Sequence, residues 1–201
     1  MKKNINSKII WPGLAGLIIG ALLILGIRFV AYQPETVHYH ANFAVYINDQ
    51  REEFKDPAFY ESIGASCDVH EQMTPQERAH MHDNINDAVH VHHNAVTWGQ
   101  FFANLGWVVD AKVIQTTSRQ LLPDNEKKIS LILNGEPTDN VSNREIGDKD
   151  KLLVDYGNNS NVDQEYASIA STADKYNNSK DPKSCGSQAV PSMRERLEHM
   201  F

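Results

Sequence analysis

A chain of 201 residues with 19 basic and 26 acidic side chains, a formal charge of −7, has room for one ordinary domain plus appendages. Its first 31 residues hold four basic and no acidic groups, which leaves 15 basic against 26 acidic groups, or −11, for the remainder. That balance repels nucleic acid and anionic lipid and excludes both as electrostatic partners, while it tolerates cations.

Residues 1–8 are short and basic, with Lys2, Lys3 and Lys8, and Ile9 to Ile27 is a run of 19 uncharged residues. As a helix this run is about 28 Å long, close to the hydrocarbon thickness of a bilayer. Arg28-Phe29-Val30-Ala31 follows it, without the small-residue pattern of a signal-peptidase site, so an uncleaved anchor over 9–31 is expected. The lysines ahead of the span place the N-terminus in the cytoplasm and the rest outside, as a single-pass protein of the cell membrane. Gly16 and Gly20 form a GxxxG through which two anchors can pack as a homodimer.

After a linker at 32–36, the extracytoplasmic domain is expected over 37–157. From Val37 to Ile47 the residues alternate, with Val37, Tyr39, Ala41, Phe43, Val45 and Ile47 on one face and His38, His40, Asn42, Ala44 and Tyr46 on the other. Asn48-Asp49 signals a turn, and Arg51 to Phe54 is expected to return as its hairpin partner. Residues 56–73 read as an irregular excursion. Thr74-Pro75 with Glu77 then has the N-cap, N1 and N3 character of a short helix. Ala88 to His92 reads as a strand with His90 and His92 on one side.

Thr97 and Gln100 make a capping box, and Trp98, Phe101, Phe102 and Leu105 recur at helical spacing before Gly106. This apolar stripe is a core helix, since it offers no polar group to a cofactor. Trp107 to Ile114 is expected as a strand, 121–127 as a loop, Ile129 to Leu133 as a strand ending at Asn134-Gly135, and Lys151 to Tyr156 as the last strand. The order describes an α+β fold, a β-grasp-like mixed sheet with one packed helix. Residues 158–201 form a polar C-terminal extension in which Val162, Tyr166, Ile169, Ala170, Ala173 and Tyr176 make a helical stripe that should lie against the domain. A loop over 177–191 and a frayed helix over 192–201 should follow.

Three His-x-His pairs, His38/His40, His80/His82 and His90/His92, stand out among nine histidines. Random placement gives roughly 0.4 such pairs, so chance is a poor account of three. Two residues apart on a strand project to the same side about 6.5 to 7 Å apart, a span that two imidazoles can close onto one ion. If the two strands turn their histidines toward one region and His80 and His82 arrive from a loop or helix end, six imidazoles converge. That is enough for one or two ions; Asp83 reads as a ligand, a group that orients an imidazole, or a helix or turn cap, and His93, on the opposite side of its strand from His92, as a candidate supporting group. His70 is a peripheral candidate and His199 an exposed one.

Imidazole suits copper, zinc, nickel and iron, with copper(II) or zinc leading; copper(I) would want more sulfur than Met73 and Met81 supply. A zinc hydrolase is conceivable from an open ligand position, but the chain is short for the folds that use such sites. Neither a G-x-S-x-G elbow nor a P-loop occurs. Cys67 and Cys185, both beyond the anchor, can staple the domain in an oxidising compartment. They do not form the Cys-x-x-Cys that activates a thiol for exchange.

The segments "HYHANFAVYIND", "HMHDNINDAVHVHH", "TWGQFFANLGW", "LILNGEPTDN" and "LLVDYG", with a late "SCG", resemble a group of small single-anchor envelope proteins of poorly characterised bacteria, some of which carry a protein-disulfide isomerase label. The resemblance covers residues 37–157 and implies a membrane-tethered extracytoplasmic domain whose His-x-His pairs are its signature. A domain that binds copper(II) or zinc through paired histidines is therefore the first expectation. A thiol–disulfide isomerase using Cys67 and Cys185 is the alternative from the label, and a non-catalytic protein-interaction module is a third.

Overall fold

The computed structural model describes residues 7–32, 37–60, 74–81, 84–177 and 193–200. The chain divides into two compact units, 1–35 with 188–201, and 36–187.

In the first unit, helix α1 (Ser7–Ala31) contains a 21-residue stretch, Trp11–Ala31, long and apolar enough to cross a membrane. The C-terminal helix α6 (Met193–Glu198) meets the end of α1, where Arg196 Nη1 donates to the carbonyls of Phe29 and Val30 at 2.8 and 3.1 Å. The last carbonyls of a helix have no partner within it, and an arginine placed there satisfies both hydrogen bonding and dipole. Exposed His199 stacks on Tyr32 with ring centroids 4.5 Å apart.

The second unit is a mixed α+β domain. Its main sheet contains β1 (Tyr39–Ile47), β2 (Gln50–Arg51), β3 (Ala79–His80), β4 (Ala88–Val91), β8 (Lys128–Leu133), β9 (Glu136–Thr138) and β10 (Lys151–Gly157). The strands run in the order β3-β4-β1-β10-β8-β9, with β2 paired to β1. Central β1 and β10 are parallel, and the other pairings are antiparallel. Asn48 and Asn134-Gly135 adopt the positive φ values that tight hairpins require, which is why Asn and Gly stand there.

On one face, α3 (Trp98–Asn104) lays Trp98, Phe101 and Phe102 over Ala41, Phe43, Val45, Val89, Val91, Leu152 and Val154. Phe43 is its centre, edge-on to Phe101 with ring centroids 5.0 Å apart. The expected capping box is present, with Thr97 Oγ1 accepting from Gln100 N and Gln100 Oε1 from Thr97 N. The short helix α2 (Pro75–Arg78) starts on the same device at Thr74 and Glu77. Periodicity misjudges 107–114: instead of one strand, β5 (Val108–Asp110) and β6 (Val113–Gln115) form a hairpin, extended by β7 (Gln120–Leu121) into a separate three-stranded sheet. Asp110 Oδ1 accepts from Lys112 N and turns the chain there, a local bond that apolar alternation does not register.

The opposite face is covered by the C-terminal extension. Its helical stripe is broken into α4 (Val162–Ser168) and α5 (Ala173–Asn177), because Ile169 leaves α4 with extended backbone. Ile169, Val162 and Tyr166 pack over Ala44, Leu153 and Ile132. Farther along β1, the buried Asn42 side chain receives the N–H groups of Thr172 and Ala173 at its Oδ1 and donates from Nδ2 to Thr172 Oγ1 and Asp87 O. One amide thereby pins the start of α5 to the sheet.

Candidate metal centre

Sheet register brings the histidines together. His40 of β1 is paired with His90 of β4, and His90 with His80 of β3, so three imidazoles stand side by side across three strands. The His40–His90 pairing continues through Tyr39 and Val91, so His38 and His92 fall one step further along the same edge of the face. His40, His80, His90 and His92 are buried and His38 is half-buried.

The rings crowd closely. Centroids lie 4.2 Å apart for His40 and His90, 4.5 Å for His38 and His90, 4.4 Å for His90 and His92, and 5.3 Å for His80 and His92. Two sets have ligand atoms that all lie within 4.8 Å of one another: His38, His40 and His90, and His80, His90 and His92. Each set can hold a metal ion, and His90 belongs to both.

Hydrogen bonds decide which nitrogens face inward. Asn177 Oδ1 lies 2.9 Å from the backbone N and 2.8 Å from the Nδ1 of His40. A backbone N–H only donates, so that atom is an acceptor and Nδ1 carries the ring proton, which leaves the lone pair on Nε2. Asn177 Nδ2 in turn donates to Asp148 Oδ1 at 2.6 Å. His80 Nδ1 lies 3.0 Å from the carbonyl of Gln76, an obligatory acceptor, so its lone pair also sits on Nε2. This is the arrangement in which an outer carbonyl sets the tautomer and orientation of a ligand imidazole. His40 Nε2 meets His90 Nδ1 at 3.2 Å. That contact is a hydrogen bond from His90 when no ion is bound. It is also near the roughly 3.3 Å that separates two nitrogens bonded at about 2.0 Å to one tetrahedral ion.

Of the residues expected from sequence, His38, His40, His80, His90 and His92 are thus gathered. His80 arrives from a helix end, on the short edge strand β3 that directly follows α2, rather than from a loop. His82, Asp83, His70, Cys67 and Cys185 lie outside the described residues. His93 is exposed, and its Nδ1 is bonded to the carbonyl of Asn94, away from the cluster. Two contributors, Asn177 and Asp148, are not legible in the sequence. Neither carries a local motif, and the only hint is the stripe that predicts packing of the extension. His80, with Gln76, Asn104, Phe59 and Tyr60, also walls a pocket of about 300 Å³.

Comparison of the chain with protein-family models, with curated proteins and with solved structures gives no match.

Proposed function

We propose that the protein is a membrane-anchored extracytoplasmic domain that binds a divalent transition metal, copper or zinc, through its paired histidines. The observation that supports this most directly is the meeting of five imidazoles from separate strands, with His40 and His80 held by Asn177 and Gln76 in the tautomer that presents Nε2. Among the described residues both sets are made of imidazole nitrogens alone, a donor set that suits borderline metals over calcium and magnesium, which want oxygen.

The lysines ahead of α1 favour a cytoplasmic N-terminus, and Gly16 with Gly20 favours pairing of two anchors. The resemblance to single-anchor His-x-His envelope proteins agrees with the same reading. Parallel central strands, antiparallel neighbours and one helix on a face support a β-grasp-like description of the sheet. Full-length protein without an affinity tag, purified in detergent, should bind zinc or copper(II) at pH 7.5 far more tightly than a His40→Ala, His80→Ala, His90→Ala triple variant. Equal binding by the two would refute the proposal.

A further inference from the structure

We infer that the two histidine sets are a pair of ion sites bridged by His90, which serves one ion through Nδ1 and the other through Nε2. The inference rests on the metal-binding reading above and names the nuclearity and the shared ligand of that site.

His90 is the middle strand residue of the row, with His40 on one side and His80 on the other. Its Nδ1 is turned to His40 Nε2 at 3.2 Å, which commits that nitrogen to the set containing His38 and His40. The nitrogen left for His80 and His92 is Nε2, at the other corner of the ring. Among the described residues the five rings do not close into one group: His38 and His40 fall in one set, His80 and His92 in the other, and only His90 is common. A single ion at either set leaves two imidazoles from the other facing the shared ring.

Chemistry makes the bridge workable. A neutral imidazole has one lone pair and one N–H. The first ion takes the lone pair, and the second takes the place of the remaining ring proton, which leaves to solvent. His90 then carries a negative charge between two cations about 6 Å apart, a separation set by the ring and two bonds of about 2.0 Å. That charge offsets the mutual repulsion of the ions, which a bridge of any neutral side chain would not do.

Copper(II) titration of the full-length, untagged protein in detergent tests this through stoichiometry and spin together. The expected result is saturation at two ions per chain. The integrated electron-paramagnetic-resonance signal should rise over the first equivalent and fall over the second, as spins joined through one imidazole ring pair antiferromagnetically. His92→Ala, which strips a ligand from one set alone, should saturate tightly at one ion with a full one-spin signal, and this does not depend on a His90 variant folding. Saturation of wild type at one ion, two ions with an additive two-spin signal, or spin pairing retained in His92→Ala would each overturn the bridge while leaving metal binding intact. Absence of any binding would instead overturn the function proposed above, and the bridge with it.

Discussion

The backbone N–H and the ring Nδ1 of His40 converge on a single atom, Asn177 Oδ1, at 2.9 and 2.8 Å. Asn177 is the last residue of α5, a helix of five residues that starts where Asn42 holds the N–H groups of Thr172 and Ala173. The match is one of pitch. His40 and Asn42 are spaced about 6.5 to 7 Å along one face of β1, and four residues of helix rise about 6 Å. The polar C-terminal extension therefore completes the histidine cluster.

Asn177→Ala removes the acceptor that orients His40 and sets its tautomer. Metal affinity is expected to fall roughly 10- to 100-fold, the usual cost of losing an outer-shell partner, and stability without metal by about 1 kcal/mol, since the His40 N–H loses this acceptor. Competitive titration against a chromogenic chelator measures it, and an unchanged affinity would remove Asn177 from the site.

Asn42→Ala strands the N–H groups of Thr172 and Ala173 at the start of α5, while the Asp87 carbonyl keeps the Phe43 N–H as its donor. A loss of about 2 kcal/mol or more is expected. Metal affinity should drop alongside, since α5 then no longer delivers Asn177. Thermal unfolding followed by the fluorescence of buried Trp98 and Trp107, paired with the same titration, separates this variant from Asn177→Ala.

At the far end of the same face Asp155 and Glu165 are buried beside each other. Burial pushes Asp155 up to about 6, and burial with the neighbouring Asp155 charge pushes Glu165 up to about 7. Both carboxyls keep protons in the folded state after the unfolded chain has lost them. Stability should therefore decline as pH rises from about 4 to about 7 and level off above. Glu165→Gln should remove roughly half of that slope, leaving the part that burial of Asp155 causes, and gain about 1 to 3 kcal/mol relative to wild type at pH 8, with little gain at pH 4.5. Unfolding midpoints across that range, measured without metal, decide it. A pH-independent difference would show that the pair is not coupled to folding.

Only neutral imidazole binds a metal, so protons compete for the cluster. Zinc should raise the unfolding temperature at pH 7.5, with a stabilisation of about 2.7 kcal/mol at a hundredfold excess over the dissociation constant, and should have much less effect at pH 5. The triple histidine variant should show no such increment at either pH.

Gly99 sits where α3 crosses the 142 backbone, and a Cβ built there would run into the Ser142 carbonyl oxygen. Backbone cannot step aside as a flexible side-chain tip can, so Gly99→Ala should cost about 1 to 3 kcal/mol in spite of Ala's better helix propensity. An unfolding midpoint equal to wild type would mean that α3 can shift without penalty.

Much of the fold is readable from the chain because the signals are local. Alternation from Val37 to Ile47 reports a strand with one apolar face, and spacing alone assigns His38, His40 and Asn42 to the other face. Thr97 with Gln100, and Thr74 with Glu77, mark two helix starts, since a capping box closes within four residues. The run from Trp11 to Ala31 has the length and apolarity that a bilayer crossing demands. The hairpin at 108–115 escapes this kind of reading because its turn depends on one Asp side chain rather than on a pattern.

Composition and periodicity determined, then, that there is an apolar span, a half-apolar sheet, an aromatic core helix and three pairs of histidines. Tertiary structure alone decided which histidines meet. Strand register across β3, β4 and β1 is a relation among residues as far apart as Tyr39 and Val91, set by packing of Ala79, Val91 and Tyr39 on the opposite face. The tautomer of His40 depends on Asn177, 137 residues away in sequence. Spacing within a strand can pair two imidazoles, but bringing five of them to one place requires the folded sheet.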